Sequence, residues 1–290
     1  MLWKFHNHGF DLSTRGLIVG IVNATPDSFS DGGAYLDPVA ASAHGLRLLE
    51  EGADLLDVGG ESTRPGAAPV SEEEELRRVI PVIEALRRAT GAPISIDTSK
   101  ASVAEAALAA GADIINDVTA LEGDPRMGGV AAASGAGVIL MHMRGTPLTM
   151  QQSPSYPDDD VARSVAKYLS GRRDAALGFG VDASAIILDP GLGFGKTAAH
   201  NLELIRSLPE LCGLGAPVLI GHSRKSFLCA ISGEVPRDNP IDGDQRLHAG
   251  IAVTVLARRL GARLFRVHDA APHRAALRAT EAILNTGGAL

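Results

Sequence analysis

Eight short apolar runs, each ending in a polar or glycine-rich cluster, limit what this chain can fold into. They fall at residues 17–22, 55–58, 94–96, 114–115, 138–141, 186–188, 218–220 and 264–267. Each is apolar throughout rather than alternating, as expected of parallel strands covered on both faces. Helical patterns fill the gaps. Asp37-Pro38 opens one, with proline at the first helical position, and Gly52 closes it. Ser71 with Glu74 forms a capping-box pattern, and the acidic run 72–75 reads as a solvated helix start at the positive end of the helix dipole. Pro81 is expected to kink or split that helix. Further helical stretches run over 100–110, 158–177, 244–260 and 272–285. Eight strand–helix units predict an α/β fold, a single-domain (β/α)8 TIM barrel spanning 1–290 with its core over about 17–285. A doubly wound sheet is the runner-up, but it normally has fewer strands at this length. The periodicity reads as architectural, with no repeat in the sequence itself.

Composition removes several classes of function. Apolar residues make up 45% and charged residues 21% of the 290, which fits a folded globular chain. With a net charge of −7 there is no basic excess to carry nucleic-acid binding, so any anion must meet positive charge gathered locally. Two cysteines, Cys212 and Cys229, cannot build a disulfide framework or a cysteine-based zinc site. The opening MLWKFHNHGFDLS lacks a signal-peptide core. The uncharged stretch between Arg126 and Arg144 holds Gly, Ser and His142 and does not read as a membrane span. A cytoplasmic protein is expected.

In a barrel of this kind chemistry gathers at the carboxyl ends of the strands. Asp97, Asn116 and Asp189 stand there as two carboxylates and an amide that need partners, and a flat heterocycle rich in N–H groups would supply them. Lys225, Arg64, Arg224, Arg266 and His268 form a cationic set suited to phosphate or carboxylate groups. The Asn23 oxygen could bind a hard cation such as Mg²⁺. The residues thus point to a phosphorylated, nitrogen-rich heterocycle. Met141, Met143, Phe29 and Phe194 read equally as core or as plates sandwiching a flat ring. His142 reads as a satisfied histidine at the barrel top, and His6, His8, His44, His200 and His273 as surface or helix residues. GLGFGKT at 191–197 looks like half of a phosphate-binding P-loop, but Pro190 stands where its first glycine belongs.

These loops resemble those of the dihydropteroate synthase family. The matching segments are NATPDSFSDGG (23–33), DVGGESTRPGA (57–67), SIDTSK (95–100), IINDV (114–118), LMHMRGTP (140–147), LDPGLGFGK (188–196), SRKSFL (223–228) and RVHD (266–269). They occur in family order and cover roughly residues 17 to 282. The resemblance implies a (β/α)8 transferase of folate biosynthesis. It would join 6-hydroxymethyl-7,8-dihydropterin diphosphate to p-aminobenzoate, releasing pyrophosphate by a dissociative route. It places the pterin at Asp97, Asn116, Met141, Asp189, Phe194, Gly221 and Lys225, with Asp189 accepting a pair of pterin N–H groups. It places the diphosphate at Asn23, Arg266 and His268, with Mg²⁺ as cofactor at Asn23. It places p-aminobenzoate at Phe29, Thr63, Arg64, Pro65, Phe194 and Ser226. Asp31, Asp97, Lys225, Arg266 and His268 would act in catalysis. A monofunctional homodimer inhibited by sulfonamides is implied. The stretch Arg246-Leu247-His248-Ala249-Gly250 departs from the family pattern in a region tied to dimer packing. A corrinoid-linked methyltransferase barrel would lack the first two loops, and a non-catalytic pterin-binding barrel would have lost loop or cation residues.

Overall fold

Runs of Val, Ile and Leu without polar interruption are stable as strands only when both faces are covered, and the chain meets that demand by wrapping them in helices. The computed structural model describes residues 1–25, 37–231 and 243–285. An N-terminal antiparallel pair, β1 (Leu2–Phe5) and β2 (His8–Asp11), precedes eight parallel strands. These are β3 (Leu17–Asn23), β4 (Leu55–Gly59), β5 (Ile94–Asp97), β6 (Ile114–Asp117), β7 (Gly137–Met141), β8 (Ile186–Asp189), β9 (Leu219–Gly221) and β10 (Leu264–Val267). The helices are α1 (Pro38–Glu50), α2 (Glu72–Ala89), α3 (Ala101–Ala109), α4 (Met127–Ser134), α5 (Val161–Phe179), α6 (Ala198–Arg206), α7 (Leu208–Cys212), α8 (Phe227–Ile231), α9 (Gly243–Arg259) and α10 (Ala270–Leu284).

The sheet order is β8-β7-β6-β5-β4-β3-β10-β9. Its two edges meet through a bridge between Leu188 and Val218, and the Leu188 N–H donates to the Pro217 carbonyl at 2.9 Å. The result is a nearly closed (β/α)8 barrel in one domain, and the doubly wound alternative is excluded. No helix among the described residues is long and apolar enough to cross a membrane.

The β1–β2 pair had no counterpart among the expected strands. It covers the amino-terminal end of the barrel. Trp3 is fully buried and its Nε1–H donates to the Ala185 carbonyl at 3.0 Å, just before β8. Phe5 packs against Gly137 at the start of β7, where a Cβ would meet its ring at 3.0 Å.

Pro81 does not split its helix. α2 runs unbroken from Glu72 to Ala89 with Pro81 on its exposed side, while Val79, Val82, Ile83 and Leu86 are buried. Burying that stripe outweighs one lost hydrogen bond, and on the exposed side water can serve the freed carbonyl. The capping box is half formed. Ser71 accepts from the Glu74 N–H at 3.2 Å, but the Glu74 carboxylate turns to Arg77 and Arg78 instead of back to the cap. Nor is the acidic run wholly solvated, since Glu75 is fully buried. His273, read as a surface or helix residue, lies in α10 and is buried there.

A short repeat in the sequence also becomes visible. Gly52-Ala53-Asp54 and Gly111-Ala112-Asp113 each lead into a strand, and each makes the same clamp. Both glycines take positive φ, +103° and +111°. At that backbone an L side chain is strained, and a Cβ would strike Arg274 at 2.9 Å or Arg87 at 2.7 Å. The freed space lets Arg274 Nε donate to the Gly52 carbonyl and Arg87 Nε to that of Gly111. The same two arginines pair with Asp54 and Asp113. Each aspartate also accepts an N–H at the start of a neighbouring strand, Ile18 at 2.8 Å and Ile94 at 2.9 Å. One device therefore joins a helix, a turn and the start of a strand twice around the barrel. We expect Arg87→Ala and Asp113→Ala each to cost about 1–3 kcal/mol, with the double variant losing less than the sum, because both remove one network. Urea denaturation of the three variants checks this.

Candidate functional site

At the other end of the barrel the strands stop on polar residues, and the sheet register brings these together. Asp97 on β5 stands beside Asn116 on β6 and Gly59 on β4, while Asp189 ends β8 beside Met141 on β7. Arg266 reaches inward from β10. Its Nε donates to Asp57 Oδ2 at 2.6 Å and its Nη2 to Asp97 Oδ2 at 2.8 Å. Asn116 Nδ2 donates to the same Asp57 oxygen at 3.1 Å. Asp57 is fully buried, and its Oδ1 has no hydrogen-bond partner among the described residues. Sequence reasoning quoted Asp57 inside a motif and gave it no role. Its alternation with Val58 along a buried strand carried no sign that it faces the barrel interior.

Burial sets the protonation of this network. It pushes the Asp97 carboxyl up to about 7, against the pull of Arg266 and with help from Asp57, Glu75 and Asp117. Burial works against the Arg266 charge too, but Asp57 and Asp97 outweigh it and hold the guanidinium charged. Asp189 is likewise pushed up by burial while Lys225 pulls it down, and its Oδ1 accepts the Gly191 N–H at 2.7 Å.

Two lysines grip the loop after β8. Lys225 Nζ donates to the Leu192 carbonyl and lies 4.3 Å from the Phe194 ring centre. Lys196 Nζ donates to the Phe194 carbonyl at 2.9 Å and to His142 Nδ1 at 3.0 Å. Burial lowers both lysines to about 7, with Asp189 opposing it. His142 is pushed down to about 3 by burial and by Lys196, so it is the satisfied neutral histidine expected there. Lys196 was missed because it appeared only inside the rejected P-loop match and at the end of the segment 188–196, with no role of its own.

His268 was counted among the cations, and that needs correcting. Burial, with Arg224 and Arg266 nearby, pushes it down to about 3, so it enters the site neutral. Its Nδ1 lies 3.1 Å from Ser223 Oγ. With Ser223 donating to Nδ1, the ring proton sits on Nε2 as a hydrogen-bond donor. Arg224 is committed to Asp269, at 2.7 Å, which leaves the half-buried Lys225 and Arg266 as the basic groups on the carboxylate side.

Above these residues opens a cleft of about 580 Å³. Of the expected site residues it is lined by Asn23, Thr63, Arg64, Pro65, Asp97, Phe194, Lys225, Ser226, Arg266 and His268. Asn116, Met141, Asp189 and Gly221 are buried at the strand ends and do not line the open cleft. Phe29 and Asp31 lie outside the described residues. Glu61, Met150, Gln151 and Arg246 also line the cleft and were not singled out by their chemistry. Gln151 donates to the Gly193 carbonyl at 2.6 Å, and the Gly66 N–H donates to the Pro147 carbonyl at 2.9 Å. The loops after β4, β7 and β8 are thereby tied into one rim. The volume suits a drug-sized ligand, with acceptors on one side and cations beside them.

A buried trio supports the loop that carries Lys225. His222 Nε2 donates to the Gly250 carbonyl at 2.9 Å, and Thr254 Oγ1 lies 2.9 Å from the same nitrogen and 2.8 Å from His273 Nδ1. Burial, with His273 nearby, pushes His222 down to about 3. In the unfolded chain a histidine takes up its proton near 6.5. The unfolded state therefore binds more protons between about 6.5 and 3, and the stability His222 contributes is full above that window and lost as pH falls through it. Asp97, pushed up to about 7, works with the opposite sign over the same range. Comparison with a variant isolates the histidine. The denaturation midpoint of His222→Gln should fall less steeply between pH 7 and pH 4 than that of the parent protein, and parallel slopes would exclude this role for His222.

Known proteins share this sequence pattern and fold. The family model described as pterin binding enzyme matches residues 19–268. The chain is 47% identical to the dihydropteroate synthase of Neisseria meningitidis serogroup C over 269 residues, covering 92% of each. It is similar to the solved structure of Xanthomonas albilineans dihydropteroate synthase with 4-aminobenzoic acid. There the TM-score is 0.88 at 48% identity, with 98% of each chain covered. It is similar, too, to Yersinia pestis dihydropteroate synthase in complex with a sulfonamide drug. That TM-score is 0.89 at 41% identity, covering 98% of this chain and 99% of that one.

Proposed function

The chain belongs to the pterin-binding enzyme family and, within it, to the dihydropteroate synthases; on that premise we propose that it joins 6-hydroxymethyl-7,8-dihydropterin diphosphate to p-aminobenzoate, forming 7,8-dihydropteroate and releasing pyrophosphate. The observation that carries this reading is the network of Asp57, Asp97, Asn116 and Arg266 at one rim, opening on a cleft that runs to Thr63, Pro65 and Ser226.

The aminopyrimidinone edge of a pterin presents N–H donors side by side. Asp189 accepts such a pair, with Lys225 beside it to favour the ionised carboxylate. Asp97 and Asn116 take the opposite edge. Phe194, held under Lys225, forms one plate against the flat ring. Next to them Asn23 and His268 receive the diphosphate. Arg266 serves both ends: two of its nitrogens hold Asp57 and Asp97, and its charge lies beside the leaving group. Departure of pyrophosphate leaves a cationic pterin methylene stabilised by the ring nitrogens, so no strong nucleophile on the protein is needed. The arylamine nitrogen then attacks that carbon and loses a proton. Asp31, by its place in the first loop, would orient the amine.

Mg²⁺ fits this site in one way. Among the described residues no group of three His, Cys, Asp or Glu could hold a metal unaided. Asn23 offers one neutral hard oxygen on the cleft wall, which suits an ion that arrives with the substrate phosphates and keeps several waters. When bound, the ion would neutralise charge developing on pyrophosphate.

The reaction is tested by following labelled p-aminobenzoate into dihydropteroate with Mg²⁺ present. Absence of product would reject the reading. Two variants separate the ends of the site. Asp189→Asn places N–H against N–H and should cost on the order of 1–3 kcal/mol for pterin and pterin diphosphate alike. His268→Ala should weaken the diphosphate ester and spare hydroxymethylpterin. Calorimetry with both ligands checks this, and a loss confined to the diphosphate ester in Asp189→Asn together with equal losses in His268→Ala would mean the ends are reversed. Sulfonamides should compete with p-aminobenzoate. A Pro65 substitution at the mouth should raise their inhibition constants by a larger factor than the p-aminobenzoate KM.

A further inference from the structure

The buried Glu75 is unexplained by anything above. It lies in the first turn of α2, fully buried, and its Oε1 has no hydrogen-bond partner among the described residues. Its Oε2 accepts from Lys100 Nζ at 2.5 Å. The same Nζ donates to Glu61 Oε2, and Glu61 lines the cleft. Lys100 stands just past the end of β5, three residues beyond Asp97. Burial works against its charge, but the hydrogen bonds it donates to Glu61 and Glu75 win and raise its affinity for the proton.

These contacts fasten one particular loop. Gly60 sits so close to α2 that a Cβ would meet Val79 at 2.7 Å and Glu75 at 3.1 Å. Arg78 Nη1 donates to the Gly60 carbonyl at 2.8 Å. The next residue, Glu61, is joined through Lys100 to Glu75. Immediately afterwards come Ser62, Thr63, Arg64 and Pro65, all lining the cleft. The far end of the loop is tied by Gly66 to Pro147. A carboxylate buried beside a helix start is costly unless paired, and a lone surface contact would not repay it. Spread over Lys100 and a cleft-wall glutamate, it fixes where the loop leaves the barrel.

We propose that Lys100, clamped between Glu61 and Glu75, is a positioning residue that sets the loop of Thr63, Arg64 and Pro65 and thereby the p-aminobenzoate end of the cleft. The proposal rests on the substrate assignment made above. The members of the pterin network, Asp57, Asp97, Asn116 and Arg266, do not depend on the clamp for their hydrogen bonds. The clamp should therefore act on one substrate and spare the other.

The test compares Lys100→Met, Lys100→Arg and Glu61→Gln with the parent enzyme. It uses steady-state kinetics in p-aminobenzoate and calorimetry with hydroxymethylpterin. Lys100→Met should raise the p-aminobenzoate KM about tenfold or more, since a loop displaced by about 1 Å loses alignment at that scale. Pterin affinity should fall by a much smaller factor, because none of the hydrogen bonds joining Asp57, Asp97, Asn116 and Arg266 passes through Lys100. Lys100→Arg should restore part of the loss. Glu61→Gln keeps Lys100 paired with Glu75 and should raise the same KM by a smaller factor. It also carries the test if Lys100→Met does not fold. An unchanged p-aminobenzoate KM in Glu61→Gln and in folded Lys100→Met would overturn the proposal, as would equal weakening of both substrates. Failure of the parent enzyme to consume p-aminobenzoate would overturn the substrate assignment beneath it, a result separate from either.

Discussion

Arg266 holds the mouth of the barrel together. It reaches from β10 across β3 to Asp57 on β4 and Asp97 on β5, at 2.6 and 2.8 Å. Two carboxylates and a guanidinium in a desolvated interior are costly apart and tolerable only in such geometry. The network fixes Asn116 as well, through the Asp57 oxygen it shares with Arg266. Removing any member strands another charge away from water. The groups that would recognise a ligand are thus the same groups that satisfy the strand ends, and site and fold cannot be varied separately here.

The two ends of the barrel divide the labour differently. At the amino-terminal end the clamps of Asp54 and Asp113, with the β1–β2 pair, join helices and turns to strand starts. At the carboxyl end the strands and the loops that follow them carry groups whose protonation burial shifts. Asp97, Lys196 and Lys225 are all brought to about 7 by burial. A ligand that donates to a carboxylate or screens an ammonium changes these balances at small energetic distance. Rigid sockets below and tunable charges above follow from one constraint: polar groups in a parallel barrel can emerge only at its ends.

The loops over the cleft are held from behind. Lys225 and Lys196 hold the loop after β8 from two sides, and α2 holds the loop after β4 through Gly60, Arg78 and the Glu61–Lys100–Glu75 chain. Cleft walls built on such anchors keep their spacing to a ligand, which positional catalysis requires. His268, neutral and set by Ser223, belongs to the same logic: it contributes direction where Arg266 contributes charge.

Local chemistry made much of this legible in the sequence. Unbroken Val, Ile and Leu runs fit strands covered on both faces, and eight of them favoured a barrel over a doubly wound sheet. Residues after each run, Asn23, Asp97, Asn116, Asp189 and Lys225 among them, fell at one rim because strand direction puts them there. The β1–β2 pair was not legible, since its four-residue strands gain stability only from the barrel end they cover. The paired clamps escaped notice because Gly52 and Gly111 matter through the arginines that fill their missing side chains. The sequence shows Glu75 as one of four consecutive glutamates, and only the packing of α2 on Gly60 makes it the one that is buried. Lys196 looked like part of a nucleotide motif until the fold turned it toward His142 and Phe194. Which residues meet across the barrel, and which ionisable groups lose their water, is decided by contacts between segments far apart in the chain. A sequence read locally carries no term for that desolvation.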